Sequence, residues 1–384
     1  MTRSDQSTRT GATRREALGL SAGAALVAAW PASAAPAPGL NAIAAKRGLR
    51  FGSAVAWCPP GADRGGVGNP RYTALLARDC GILVAENEMK WQRLRPAPDR
   101  FDFERADAIA AYAKATGMAM RGHTLLWHQT KWMPRWEATH DFGSRPATAG
   151  AAMLTNHIQT VIGRYAPRVT SWDVVNEAVN PDGSGLYETA LSRAIGGAEP
   201  TLDLAFRTAR AAAPGAELVY NDYMGWEPDN ARHRAGVLKL LEGFRARGTP
   251  IDALGLQSHL VTQVGGSVTA QQAEWRRFLD AVTAMGYKLV VTEFDVRDNG
   301  LPADAAPRDR AVADYARAYL DVTLAYPQLR DVLAWGMSDR YSWIEGFEPR
   351  KDKALRRPTL YDRELRAKPL HAAVAAALAA ASER

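Results

Sequence analysis

Ser171-Trp172-Asp173-Val174-Val175-Asn176-Glu177-Ala178 starts as a strand and finishes as a candidate site. Trp and Val alternate through its first part, the pattern of a buried strand. The run then stops at an amide and a carboxyl, Asn176 and Glu177, and the chain turns at Asn180-Pro181-Asp182-Gly183. In a parallel barrel, strands deliver chemistry in this way to their C-terminal mouth. Lys288-Leu289-Val290-Val291-Thr292-Glu293-Phe294-Asp295 repeats the arrangement, an apolar strand closed by carboxylates. Two glutamates on two strand ends meet the need of glycosidic-bond hydrolysis, one acid and one nucleophile or base.

Working outward, eight strand-like runs recur at 50–56, 82–85, 118–122, 171–175, 217–220, 253–256, 289–292 and 332–335. Between them 107–115, 153–162, 202–212, 234–244, 273–284 and 312–325 carry apolar residues at helical spacing. Gly117, Pro214-Gly215 and Gly286 punctuate helix ends, and a last helix over 370–381 would complete the ring. Alternation repeated eight times predicts an α/β fold of one domain, a (β/α)8 TIM barrel. An open doubly wound sheet is the alternative, but no Gly-rich phosphate loop follows the first strand.

The first residues stand apart. Arg14-Arg15 precede an Ala-rich apolar stretch from Leu18 to Trp30, and Ala32-Ser33-Ala34 offers a small-x-small cleavage pattern. This predicts a signal peptide of the twin-arginine type over 1–34, then a short linker over 35–47 and the catalytic domain over 48–384. An exported bacterial protein, periplasmic or secreted, is expected, with no membrane attachment once the signal is removed. Its 384 residues are 47% hydrophobic, enough for a full core. The net charge of +7 is spread without a basic stripe interleaved with aromatics, which argues against nucleic acid. Cys58 and Cys80 allow one disulfide in an oxidising compartment and are too few for a zinc site.

The strand ends say what is bound. They read Glu86-Asn87-Glu88-Met89-Lys90-Trp91, His123 through Trp127-His128, Asn176-Glu177, Asn221-Asp222-Tyr223, Gln257-Ser258-His259, Glu293-Phe294-Asp295 and Trp335-Gly336, with Trp343 just beyond. Tryptophans offer flat faces to sugar C–H surfaces, while Glu86, Asn87, Lys90, His123, Asn176 and Gln257 offer directed hydrogen bonds to hydroxyls. A phosphorylated ligand would call for glycine loops and clustered arginines, and His123 and His259 lie three strands apart. Neither a cofactor nor a metal is expected.

These motifs resemble glycoside hydrolase family 10, the endo-β-1,4-xylanases, from about Arg50 to Trp343. Six of them follow in the family's order: Glu86 to Trp91, Gly122 to His128, Trp172 to Glu177, Gln257 to His259, Thr292 to Val296, and Trp335 to Trp343. The resemblance implies an endo-1,4-β-xylanase acting on xylan and xylo-oligosaccharides, with Glu177 as acid/base and Glu293 as nucleophile. It sets Glu86, Asn87, Lys90 and Trp335 on the glycone side, and His123, Trp127, Asn176, Gln257 and Trp343 around the cleaved sugar. Tyr223 is a further expected contact, and a monomer is expected. His259 and Asp295 are expected to orient Glu293, and Asn176 to bond the sugar 2-hydroxyl. Glu88, Asp173 and His128 read as structural. Three departures bear on substrate length and branching: Met224 after Tyr223, Val84-Ala85 in the second strand, and the Trp-rich loop from Lys131 to Trp136. A β-1,4-glucanase on the same barrel and a non-catalytic glycan-binding barrel are the competing readings.

Overall fold

The apolar runs become strands of one closed sheet in the computed structural model, which describes residues 38–166, 168–262 and 266–384. They are β1 (Arg50–Val55), β2 (Ile82–Ala85), β3 (Ala119–Trp127), β4 (Val169–Asn176), β5 (Glu217–Asp222), β6 (Ala253–Leu256), β7 (His259–Val261), β8 (Lys288–Arg297) and β9 (Leu329–Ala334). Neighbours run β6-β5-β4-β3-β2-β1-β9-β8, and a parallel β6–β8 pairing closes an eight-stranded barrel. The short β7 continues past β6 and pairs with β8 above the ring, setting His259 opposite Asp295. The expected (β/α)8 barrel is therefore the fold observed.

Strands in such a barrel are covered on both faces, so they read as continuous apolar runs. β2 and β6 are buried at every residue. Helices over Glu104–Ala115, Pro146–Tyr165, Ala198–Ala212, Ala231–Ala246, Val268–Ala284, Ala305–Thr323 and Pro369–Ala380 cover the apolar-periodic segments to within two residues. One further helix, Pro70–Asp79, fills the gap between β1 and β2. Its start is written in the sequence: the Asn69 side chain accepts from the Arg71 and Tyr72 amides, and Pro70 occupies the first turn.

Two expectations need correction. The segment 35–47, read as a linker, is structured in its described part, because Leu40–Ala45 forms a helix with Leu40 and Ala44 fully buried. The Leu40 amide donates to the Asp79 carboxylate at 3.1 Å, and the Asn41 carboxamide accepts from the Phe51 amide at 3.0 Å. Two short hydrogen bonds and two apolar side chains thus dock this helix beside β1. The strands also run further than their apolar cores. β3, β4, β5 and β8 continue, through irregular register in places, to Trp127, Asn176, Asp222 and Arg297, so polar site residues lie within strand. Cys58 and Cys80 are both buried and both free thiols. The signal expected over 1–34 lies outside the described residues.

Candidate active site

The β3–β4–β5 register brings Trp127, Asn176 and Asn221 to one level at the C-terminal mouth. One residue further on, Glu177 leaves the strand with φ of 54°, in the left-handed region, while its amide still donates to the Asn221 carbonyl at 2.9 Å. A non-glycine residue held in that region is backbone strain kept by its surroundings, as at functional sites. The mouth opens into a cleft of about 590 Å³. Of the expected site residues, Glu86, Asn87, Lys90, His123, Trp127, Asn176, Glu177, Tyr223, Gln257, His259, Glu293, Trp335 and Trp343 all line it. Asp295 lies behind them, where its carboxylate meets His259 Nδ1 at 2.9 Å and accepts from Trp343 Nε1 at 2.8 Å.

Glu177 is surrounded by neutral donors. Gln257 Nε2 donates to its Oε1 at 2.9 Å; Trp127 Nε1 and Gln129 Nε2 donate to its Oε2 at 2.9 and 3.1 Å. Burial raises its pKa to about 7; the Gln257 and Trp127 bonds oppose that rise, and Asp222 and Glu293 add to it. Glu293 sits in the opposite field. Its Oε2 meets His259 Nε2 at 3.2 Å, and Asn221 Nδ2 donates to its Oε1 at 2.8 Å. Burial pushes its pKa up, but the His259 bond and the fields of His123 and His259 outweigh burial and hold it below the usual carboxylate value. Burial would lower His259 as well; Asp295 and Glu293 reverse this and raise it to about 9.

One chain of amides links the two carboxylates. Asn176 Oδ1 accepts from both Asn221 Nδ2 and Gln257 Nε2, at 2.8 and 3.3 Å, which leaves the Asn176 amide hydrogens free for a ligand. Thr292 Oγ1 donates to Asn221 Oδ1 at 2.7 Å and fixes that carboxamide. Gly255 on β6 makes room for it, since a Cβ there would stand 2.2 Å from Asn221 Oδ1. Asn221 and Gln129 were not among the expected site residues. Asn221 had a readable signal, a polar residue at a strand end level with Asn176. Gln129 lies in a loop and had none.

The supporting residues behave as their burial requires. Arg121 and Asp173 are both fully enclosed, joined at 2.6 Å, with His123 Nδ1 on the second Asp173 oxygen at 2.9 Å. Glu88 accepts from the Trp57 and Asn87 amides, at 2.7 and 3.1 Å. His128 Nε2 lies 3.0 Å from the Tyr187 carbonyl and, being buried, is pushed down to about 4. Met224 is 1% exposed, so this departure turns into the core and away from the cleft. Lys90 Nζ donates to Asn87 Oδ1 at 3.0 Å and lies 4.8 Å from the Trp127 ring centre. Among the described residues, no three His, Cys, Asp or Glu side chains are grouped to hold a metal.

A parallel barrel carrying a buried, proton-holding carboxyl and an ionised carboxylate over one sugar-sized cleft is a glycoside hydrolase. The sequence places it more closely: the chain belongs to Glycosyl hydrolase family 10, whose model matches residues 39–377. It is 33% identical over 353 residues to endo-1,4-beta-xylanase 5 of Pyricularia oryzae, covering 90% of this chain and 80% of that one. It is 30% identical over 339 residues to endo-1,4-beta-xylanase B of Thermotoga neapolitana, covering 87% and 90%. Native xylanase 10B from Thermotoga maritima superposes with a TM-score of 0.77 at 29% identity, over 88% of this chain and 98% of that one. A variant of xylanase 10C from Cellvibrio japonicus, solved with xylopentaose, gives 0.79 at 26% identity over 90% and 70%.

Proposed function

We propose that this protein is an exported endo-1,4-β-xylanase that cleaves internal xylosidic bonds with retention of configuration. The observation that carries the reading is the opposed environment of two carboxyl groups in one cleft. Glu177, raised to about 7, holds a proton where Glu293, drawn down by two histidines, is ionised. Glu293 attacks the anomeric carbon while Glu177 protonates the departing oxygen; Glu177, now a carboxylate, then takes a proton from the water that releases the sugar. Direct attack requires carboxyl groups about 5–5.5 Å apart, and an amide chain through Gln257, Asn176 and Asn221 joins Glu177 to Glu293 in one cleft. The free Asn176 amide is directed to the 2-hydroxyl, a bond that strengthens as positive charge grows on the ring.

His123, Trp127, Tyr223, Gln257 and Trp343 are assigned to the sugars about the cleaved bond, and Glu86, Asn87, Lys90 and Trp335 to the glycone half. Trp335 and Trp343 crowd the position a hydroxymethyl group would take, so xylose is favoured over glucose by about 1–3 kcal/mol. Residues 1–34 are assigned to a twin-arginine export signal. Among the described residues, no helix is long and apolar enough to cross a membrane. A monomer is proposed.

Reducing-sugar release from xylan, cellulose and mannan in parallel tests the substrate, with xylan expected to be cleaved fastest. Proton NMR of the first product tests the stereochemistry. An α-anomer appearing first would rule out the double displacement.

A further inference from the structure

Phe347 lines the cleft and yet keeps 59% of its surface in water, more than any other large apolar side chain among the described residues. Its ring centre lies 4.8 Å from that of Trp343, at a tilt of 44°. The Trp343 indole is itself fixed on Asp295 at 2.8 Å. Phe347 therefore extends the Trp343 surface outward by one aromatic ring.

The backbone beneath it is tied down on every side. Phe347 ends the short helix Ile344–Phe347, and the Glu348 carboxylate that follows accepts from Arg297 Nη1 at 3.2 Å and from Asn299 Nδ2 at 3.0 Å. Arg356, 4% exposed, donates to the Glu348 carbonyl at 2.7 Å and to the fully buried Asp298 carboxylate at 2.9 Å. Folding does not gain from holding a phenyl ring 59% in water. Binding does, because a ring already fixed loses little freedom when a ligand covers it.

The wall has a direction. Through Glu348 the ring adjoins Arg297, which lies opposite Val261 in the β7–β8 register, and the Val261 amide donates to Glu227 Oε1 at 2.8 Å. This side runs from β8 toward the loop after β5, away from Glu86, Asn87 and Lys90 after β2. Resting on the xylanase reading and its glycone assignment, we propose that Phe347 is a stacking platform for a xylosyl residue on the leaving-group side of the cleaved bond. Its phenyl ring takes the C–H face of that sugar, while Arg297 and Glu227 border it with groups that bond hydroxyls.

The test compares Phe347→Ala and Phe347→Trp with the parent on two substrates. Xylohexaose places sugars on both sides of the cleaved bond; an aryl β-xylobioside places none on the leaving side. Phe347→Ala is expected to lower kcat/KM for xylohexaose about tenfold more than for the aryl substrate, a stacking contribution of about 1.4 kcal/mol. Cleavage of xylohexaose labelled at its reducing end should also shift toward that end, because fewer sugars are then held beyond the cut. Phe347→Trp should retain the parent's ratio and pattern. An equal loss on both substrates, or no loss on either, overturns the platform. If the parent itself turned over neither substrate, the xylanase reading would fail first and take the platform with it.

Discussion

Replacing His259 by asparagine tests how the site keeps one glutamate ionised. The histidine is 7% exposed in its side chain and joins Glu293 Oε2 at 3.2 Å to Asp295 Oδ1 at 2.9 Å. With its pKa near 9, it is a cation across the working range, and its bond to Glu293 is one to a charged partner. Such bonds contribute about 1.5–3 kcal/mol, so losing the one to Glu293 should lower kcat/KM about 10- to 100-fold. The sign of the pH effect follows from the charge removed. Without the cation Glu293 binds its proton more tightly, so the acidic limb of the kcat/KM profile moves to higher pH. The alkaline limb, set by Glu177, should remain near 7. An aryl β-xylobioside with a poor leaving group is the assay of choice, because its first chemical step needs the Glu177 proton and so keeps both limbs visible. Trp343 still bonds Asp295 in the variant, which limits the damage to folding. A loss of rate with the acidic limb unmoved would show that His259 only packs the site, and the electrostatic account of Glu293 would be wrong.

The other outcomes are simpler to read. Glu177→Ala should spare good leaving groups in the first step and be rescued by azide to a β-azide product, whereas Glu293→Ala should form no glycosyl-enzyme; an α-azide from the latter would exchange the two roles. Arg121→Met leaves the enclosed Asp173 carboxylate without its 2.6 Å partner and should cost about 3–5 kcal/mol in urea unfolding. A cost below about 1 kcal/mol would mean that the pair is not load on the folded state. N-terminal sequencing of exported protein should find a start near Ala35, and a mature chain retaining Arg14 would refute the signal assignment.

The barrel was legible because its signals are periodic. A strand covered on both faces must be apolar throughout, and a helix lying on it must be apolar at helical spacing, so each unit announces itself. The two glutamates were legible for the complementary reason: a carboxyl that ends an apolar run has no structural excuse. Met224 shows the limit of reading position alone, since its place after Tyr223 suggested a lost cleft contact and its side chain instead packs inside. Gln129 shows another limit. Nothing in a loop residue's neighbours says that its amide will reach Glu177, because that contact is made by folding β3 beside β4. The helix Leu40–Ala45 was missed because the Ala- and Pro-rich stretch before it reads as a linker, and only its docking on Asp79 and β1 makes it part of the fold.

The two glutamates end similar strands of one sheet, so the strands do not decide which holds the proton. The donors do. Around Glu177 stand two carboxamides and an indole, which bond a carboxylate without bringing charge; burial therefore prevails and the proton stays to about pH 7. Around Glu293 stand His259 and, 4.0 Å away, His123, each meeting an aspartate; the His259 bond and the fields of the two rings outweigh burial and hold its pKa below the usual carboxylate value. Asp295 thus acts on Glu293 without reaching the cleft floor, through His259. The two fields also reinforce each other, because the ionised Glu293 is one of the charges that keeps Glu177 protonated. On the mechanism proposed, bonding Glu293 to sugar would remove its charge and leave Glu177 free to ionise for its second task as a base.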